Sequence, residues 1–235
     1  MVALLACVAL LGVGLYRAGA IQFNRPLPAT YPITGIDVSH HQGAIDWQLV
    51  ATSSTHFAFV KATEGRDYTD PRFESNWRGA KAASIPRGAY HFFTFCSPGL
   101  AQAEHFLSVV PPSADALPPV ADVEFVGNCR SWSSLPDVAV ELGVFLEAVE
   151  RAWKLKPILY VTPDSLERVV GERFRAHPIW IRSVFSEPDH RAYRGWYLWQ
   201  FSDNSRVPGI SGAVDRNALR PGLSLQQLRV PILTE

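Results

Sequence analysis

The stretch PPVADVEFVGN, residues 118–128, is typical of a buried strand, yet it carries two acidic side chains. Carboxylates such as Asp122 and Glu124 are rarely buried unless they are paired. Side chains two positions apart on a strand point to the same face, so both carboxyl groups should project together, with Cα atoms roughly 6.6 Å apart. We therefore expect an acidic site at the end of this strand, with Val120 and Val123 packed outward under helices.

Strand-like and helix-like segments alternate along the rest of the chain. The clearest helix covers 136–154, where apolar residues recur at helical spacing. The alternation predicts a parallel sheet with right-handed crossovers. The eight strand segments are 33–38, 57–62, 87–93, 119–125, 157–161, 178–184, 196–202 and 212–219.

Eight strands, five of them followed by a helix, favour an α/β fold, namely a TIM-like (β/α) barrel. The last three strands have few helices between them, so the barrel should be irregular there. The alternative is an open doubly wound sheet. That fold usually has a glycine-rich phosphate turn after its first strand, whereas GIDVSHHQG at 35–43 has no such turn.

Composition and charge exclude some classes of partner. The chain has 235 residues, of which 47% are hydrophobic and 19% charged, and its formal net charge is zero. This composition is that of an ordinary globular protein, and the lack of basic excess argues against nucleic acid as a partner. We expect a monomer without a cofactor.

The N-terminal segment MVALLACVALLGVGLYRAGA, residues 1–20, predicts export. Its apolar run is too short for a typical membrane span but suits the core of a signal peptide, and AGA resembles a cleavage site. We expect a signal peptide or an N-terminal membrane anchor, then a proline-rich linker (21–32), a barrel (33–222) and a C-terminal tail (223–235). The protein would be periplasmic, anchored in the inner membrane facing the periplasm, or secreted.

The cysteines fit an exported chain. Cys7 lies in the targeting segment, which leaves Cys96 and Cys129. A pair of cysteines in an exported protein suggests a disulfide, with two unrelated buried thiols as the alternative. No Cys/His spacing indicates a zinc site, so we expect no metal.

Polar residues follow nearly every predicted strand, where a (β/α) barrel has its active site. Two nearby carboxylates raise the pKa of one of them, giving the acid and the anion that glycoside hydrolysis needs. Flat aromatic rings stack on sugar faces. The candidate catalytic residues are Asp37, Asp122, Glu124 and Asp215, and the candidate substrate-binding residues are Glu64, Tyr90, His91, Tyr160, Trp180, Arg182, Trp199 and Gln200.

Each candidate taken alone has a simpler reading. An Asp-x-Glu pair also fits an exposed strand face or a divalent-metal site, and His91 fits a hydrogen-bonded core histidine. Asp37 fits a helix cap, Asp215 a turn, and the tryptophans fit the core. Only the joint pattern favours a sugar-cleaving pocket.

Seven motifs in order resemble one family. GIDVSHHQGAIDW, FAFVKATEG, RGAYHFF, DVE, PILYV, WQFS and VPGISGAVDRN are similar to those of glycoside hydrolase family 25 lysozymes, the Chalaropsis-type N-acetylmuramidases. The resemblance covers about residues 33–220. FTFCSPG and VGNC resemble the branch found in Gram-negative bacteria, in which Cys96 and Cys129 would pair.

The resemblance implies an irregular (β/α) barrel that cleaves the β-1,4 bond between N-acetylmuramic acid and N-acetylglucosamine in peptidoglycan. It implies that Glu124 is the general acid and Asp122 its companion, with Asp37 and Asp215 completing an acidic pocket. One departure is that Arg182 and Ser183 stand in the region where many members have an alanine and then a tyrosine. A cation there would change how the muramic acid or its peptide is held.

The hypothesis for the mechanism has Glu124 protonate the glycosidic oxygen while Asp122 stays ionised. Asp122 would stabilise the transition state directly or orient the 2-acetamido group of the substrate for attack on C1. Retention and inversion both stay open. The competing classes are a non-catalytic peptidoglycan-binding module, a metal-dependent hydrolase and a glycosidase for another N-acetylated glycan.

Overall fold

A computed structural model describes most of the chain. Cys7 and most of the predicted targeting segment lie outside the described residues. No helix in the described part is both long and apolar enough to cross a membrane. The described residues are 11–12, 14–16, 19, 21–130, 134–189, 193 and 195–231.

Within the described residues, eight strands close into a barrel, and one additional short strand pairs with the edge of a barrel strand. All eight predicted strands are present, and pairing of the first two closes the sheet, which excludes the open alternative. The strands are β1 (Thr34–Val38), β2 (Phe57–Glu64), β3 (Tyr68–Thr69), β4 (Arg87–Phe92), β5 (Val120–Val123), β6 (Ile158–Val161), β7 (Ile179–Arg182), β8 (Leu198–Ser205) and β9 (Val214–Leu219). The barrel order is β1-β9-β8-β7-β6-β5-β4-β2, with β3 paired to β2.

Helices follow the early strands, as predicted. In the helix Leu135–Trp153, the Ser134 side chain accepts a hydrogen bond from the Asp137 backbone and caps the first turn, while Lys154 ends the helix in a left-handed conformation. The α-helices are α1 (Trp47–Ala51), α2 (Phe73–Ala82), α3 (Gly99–Val109), α4 (Leu135–Trp153) and α5 (Pro163–Ser165), which a π-helical turn, Leu166–Val170, continues. Short 3-10 helices cover His40–Gln42, Glu172–Phe174 and Leu225–Leu228.

The eight strands of the barrel run parallel except for β9, which is antiparallel to both β8 and β1, and the short β3 outside the barrel pairs antiparallel with β2. The prediction of a parallel sheet is therefore wrong for the last strand. Antiparallel strands need only a short connection, whereas a parallel crossover needs about a dozen residues or more. Only a short loop joins β8 to β9.

The predicted linker packs on this irregular side of the barrel. Tyr31 is buried, and its ring centroid lies 5.5 Å from that of Trp199 in an edge-on arrangement. The Asn24 side chain donates a hydrogen bond of 2.7 Å to the carbonyl of Val184. The proline-rich segment therefore lies where the other half of the barrel has helices.

The barrel interior has an apolar layer beneath the polar strand ends. Val120 belongs to this layer, whereas Val123 packs outward. The expectation that both valines face the helices is wrong for Val120, because it shares the face of Asp122 two positions later. Gly88 leaves room for the layer, since a Cβ there would lie 2.4 Å from the Phe59 ring. The layer comprises Phe57, Phe59, Leu117, Val120, Ile158, Tyr160, Trp180, Leu198, Leu219 and Leu228.

Candidate active site

A cavity of about 100 Å³ opens at the C-terminal ends of the strands. It brings together all four predicted catalytic carboxyl groups with three of the predicted aromatic residues. Val120 lies among the apolar side chains beneath them. The lining residues are Asp37, Tyr90, Val120, Asp122, Glu124, Tyr160, Trp180 and Asp215.

Asp37 and Asp215 form the first carboxyl pair. They lie opposite each other on β1 and β9, and their side chains share a hydrogen bond. Asp37 Oδ1 also accepts hydrogen bonds from Asn217 Nδ2 at 2.7 Å and Gln200 Nε2 at 3.2 Å. Burial raises the pKa of both carboxyl groups, but the hydrogen bonds to Asp37 oppose the rise. The shared proton therefore belongs on Asp215.

The two amides that hold Asp37 are themselves oriented by aromatic residues of the cavity. Trp180 Nε1 donates to Asn217 Oδ1 at 2.9 Å, and the Tyr160 hydroxyl donates to Gln200 Oε1 at 3.0 Å. These bonds turn the amide nitrogens toward Asp37. The first pair is consequently a fixed and saturated network.

Asp122 and Glu124 form the second pair, at the end of β5 and just beyond it. Asp122 is only 7% exposed, and its Oδ1 atom has no hydrogen-bond partner among the described residues. Burial and then the charge of Glu124 raise the pKa of Asp122 well above its ordinary value. These shifts run against the hypothesis that Asp122 stays ionised, because desolvation disfavours its charged form.

Glu124 has a pKa suited to proton transfer. Burial raises the pKa of Glu124 to about 7; the cations Arg182 and Lys61 pull it down, and Asp37 pushes it up. A carboxyl group with a pKa near neutrality can act as an acid and, after losing its proton, as a base.

The loop after Glu124 is pinned to the end of β4. Asn128 Nδ2 donates to the carbonyls of Glu124 and Phe93, both at 2.9 Å, and Asn128 Oδ1 accepts from the Phe95 backbone at 2.8 Å. The next residue, Cys129, forms the predicted disulfide with Cys96, with Cα atoms 6.3 Å apart. The backbone that carries Glu124 is therefore fixed from its C-terminal side.

Two of the predicted substrate-binding residues form ion pairs and do not line the cavity itself. Lys61 Nζ lies 2.6 Å from Glu64 Oε2. Arg182 Nη2 lies 2.8 Å from Asp203 Oδ2, and the Arg182 charge lowers the pKa of Glu124. Arg182 therefore acts on the site electrostatically.

Two other predicted substrate-binding residues lie on the outer face of the barrel. His91 is fully buried, its Nε2 atom lies 3.1 Å from Gln102 Oε1, and its ring stacks on Phe145. Burial lowers the pKa of His91 to about 3, so the ring is neutral. Trp199 is buried as well and donates to the carbonyl of Ser183 at 2.8 Å. Neither residue reaches the cavity, because adjacent residues on a strand point to opposite faces.

Sequence reasoning missed three residues that support the site. Asn217 follows Asp215 by two positions on β9, so the two-residue period of a strand could have identified it. Asp203 and Asn128 gave no comparable signal. Only the fold brings Asp203 to Arg182 and Asn128 to Phe93 and Phe95.

An irregular (β/α) barrel with a carboxyl cluster at the ends of its strands, one member having a near-neutral pKa, is the arrangement of a glycoside hydrolase. The family model for glycosyl hydrolases family 25 matches residues 36–210. The chain belongs to this family.

Similar proteins agree with this assignment. Lysozyme M1 of Streptomyces globisporus is 34% identical over 201 residues, which is 80% of this chain and 68% of that protein. A protein named YegX from Escherichia coli K12, described as uncharacterized, is 36% identical over 81% of this chain and 71% of its own length. A solved family 25 glycosyl hydrolase from Bacillus anthracis has a TM-score of 0.80 and 36% identity, covering 88% of this chain and 97% of that one.

Proposed function

We propose that this enzyme is a lysozyme that cleaves the β-1,4 bond between N-acetylmuramic acid and N-acetylglucosamine in peptidoglycan. Family membership and the similarity to a protein named lysozyme support the substrate class. The observation that carries the chemistry is Glu124, a half-buried carboxyl group with a pKa of about 7 in a pocket of carboxyl groups.

Glu124 is the general acid in this proposal. Its proton passes to the glycosidic oxygen as the bond between that oxygen and C1 breaks. The resulting carboxylate then accepts a proton from the water that attacks C1, which restores the acid. Proton transfer of this kind contributes about 10²–10⁴-fold to a rate.

Asp122 assists through the 2-acetamido group of the substrate. Its Oδ1 atom, which lacks a partner among the described residues, is an acceptor for the acetamide N–H. The acetamide oxygen attacks C1 as the leaving group departs, and positive charge spreads over the new ring. A hydrogen bond from the acetamide N–H lowers the pKa of Asp122, so the residue releases its proton to solvent when the substrate binds and is a carboxylate when C1 is attacked. Two displacements at C1 give net retention of configuration.

Asp37 and Asp215 supply a fixed field rather than a reacting group. Asp37 is held by two amides, and its charge favours the protonated form of Glu124. Tyr90, Tyr160 and Trp180 line the cavity and bound the space for the sugar ring. Glu64 and Arg182 would contact the flanking parts of the glycan.

Export is the expected route to peptidoglycan. Residues 1–20 would direct it, either as a cleaved signal peptide or as an anchor, and the monomer would act on the cell wall by degrading or remodelling it. Extraction of cells that express the chain, followed by N-terminal sequencing of the product, distinguishes the two fates of the segment.

Digestion of purified peptidoglycan tests the proposed reaction. Mass spectrometry should find muramic acid at the new reducing ends, and NMR of a soluble glycan substrate should show the β-anomer first. Glucosamine at the reducing ends would instead indicate a glucosaminidase. Binding without any new reducing ends would indicate a peptidoglycan-binding module.

A further inference from the structure

A second cavity, of about 290 Å³, lies between the proline-rich segment and the outer face of β8, β9 and β1. It is separate from the carboxyl pocket, with which it shares no lining residue. Three arginines line it, Arg25, Arg206 and Arg216, together with hydroxyl and amide side chains, and no carboxylate does. The nearby Glu187 accepts a hydrogen bond from the lining residue Tyr31 but is not part of the wall.

Arg216 is the least solvated of these cations. It is half-buried on the outward face of β9, next to the catalytic-pocket residue Asp215 in sequence but on the other side of the strand. Nη2 donates to Thr34 Oγ1 at 2.9 Å, Ser54 Oγ at 3.2 Å and the Ser54 carbonyl at 3.4 Å. All three partners are uncharged, and Arg216 forms no ion pair with any described residue.

A half-buried guanidinium without a counter-charge is unfavourable. Burial alone lowers the pKa of Arg216, and no carboxylate offsets it. Only one of its three nitrogens is hydrogen-bonded to described residues, which leaves Nε and Nη1 for a ligand.

Arg25, which is exposed, likewise has no ion pair within the described part of the chain. Three guanidinium groups present more donors than the two oxygens of a carboxylate can accept, and they suit a phosphate.

We propose that this cavity, between the proline-rich segment and the antiparallel side of the barrel, binds a phosphate group through Arg25, Arg206 and Arg216. The phosphate is that of a free anion or of a lipid headgroup. This site does not depend on the proposed reaction, because the hydrolase residues lie in a different cavity.

The first test uses inorganic phosphate and the full chain. Phosphate should raise the melting temperature above that in chloride of equal ionic strength, and titration calorimetry should give a dissociation constant. Arg216→Gln should weaken binding at least about tenfold, since one charge-assisted hydrogen bond contributes that much. The exposed Arg151 on α4 provides the control, and Arg151→Gln should bind like the wild type.

Arg25→Gln keeps the proposal testable if loss of Arg216 impairs folding, because Arg25 is exposed and has no hydrogen bond or ion pair with the described residues to lose. It should also weaken phosphate binding. Glu124→Gln should bind phosphate as the wild type does, which separates this site from the catalytic one. The absence of any phosphate effect, or equal affinity in the Arg25, Arg216 and Arg151 variants, would overturn the proposal.

Vesicles distinguish the two sources of phosphate. Phosphatidylglycerol vesicles are compared with phosphatidylcholine vesicles. Choline masks the phosphate of phosphatidylcholine, so sedimentation with these vesicles reports binding by the apolar N-terminal segment. Sedimentation with phosphatidylglycerol alone, lost in Arg216→Gln and competed by phosphate, would identify the lipid headgroup. Equal sedimentation with both vesicles, alongside phosphate binding in solution, would identify the free anion.

Discussion

Asp37 and Asp215 lie opposite each other on the neighbouring strands β1 and β9, whereas Asp122 and Glu124 lie two residues apart at the end of β5 and just beyond it. The first pair shares a hydrogen bond, and two amides saturate Asp37. In the second pair, Asp122 has an oxygen without a partner among the described residues, and Glu124 has a pKa of about 7. Burial is common to both pairs, so burial alone does not distinguish them. The difference lies in hydrogen bonding, which fixes charge in one pair and leaves protons available in the other.

The largest effect should come from removing the Glu124 proton. Glu124→Gln should fold normally but lose about 10³-fold in the rate of peptidoglycan cleavage, within the range for general acid catalysis. Initial rates on purified peptidoglycan measure this. Glu104→Gln, which changes an exposed glutamate on α3, is the matched control and should keep its rate.

Asp122→Asn should cost about 10²-fold in rate, because the amide keeps an acceptor oxygen but cannot supply negative charge. Its melting temperature should equal or exceed that of the wild type, since the change removes a buried ionisable group that lacks a hydrogen bond. A fall in melting temperature would mean that the Asp122 carboxyl group is held by hydrogen bonds in the fold, as that of Asp37 is.

The pH dependence should follow the Glu124 proton. The rate should fall as pH rises through about 7, by about tenfold per unit above it, because the acid is lost. The free energy of unfolding should change with pH in the same direction as the rate. A carboxyl whose pKa is raised in the fold stabilises when protonated, so its contribution is lost between pH 4.5 and about 7. Urea unfolding at pH 5 and pH 8 should show a smaller pH effect in Glu124→Gln than in the wild type.

Asp37→Asn should affect the stability of the fold more than the rate of cleavage. The new amide oxygen can still accept from Asn217 Nδ2 and Gln200 Nε2, but the amide has no negative charge and its nitrogen cannot accept the hydrogen bond from Asp215. We expect a loss of about 1–3 kcal/mol in the free energy of unfolding. Urea denaturation measures it, and unchanged stability would contradict the saturated network.

Asn128→Ala should give the smallest effect, a several-fold fall in kcat with little change in KM. Loss of its bonds to the carbonyls of Glu124 and Phe93 loosens the backbone that carries the acid. The pH profile should keep its midpoint, because no charge is removed. A large change in KM would instead place Asn128 in substrate binding.

The alternation of strands and helices predicted the barrel, because the spacing of apolar residues shows both the two-residue period of a strand and the 3.6-residue period of a helix. The same two-residue period brought Asp122 and Glu124 to one face. The same period explains why His91 and Trp199, which lie next to inward-facing residues, are on the outer face. The sequence alone could not predict this, because which face of a strand points inward depends on the segments that pack against it. The reversal of β9 and the packing of Tyr31 on Trp199 depend on contacts between distant segments, which no local pattern encodes.

A comparison of two substrates tests the role of Glu124 most directly. One is a peptidoglycan fragment, whose sugar leaving group needs a proton, and the other is the same glycan carrying dinitrophenol, which leaves without one. The account predicts that Glu124→Gln loses about 10³-fold on the first and little on the second. An equal loss on both substrates, or no loss on either, would contradict the assignment of Glu124 as the general acid.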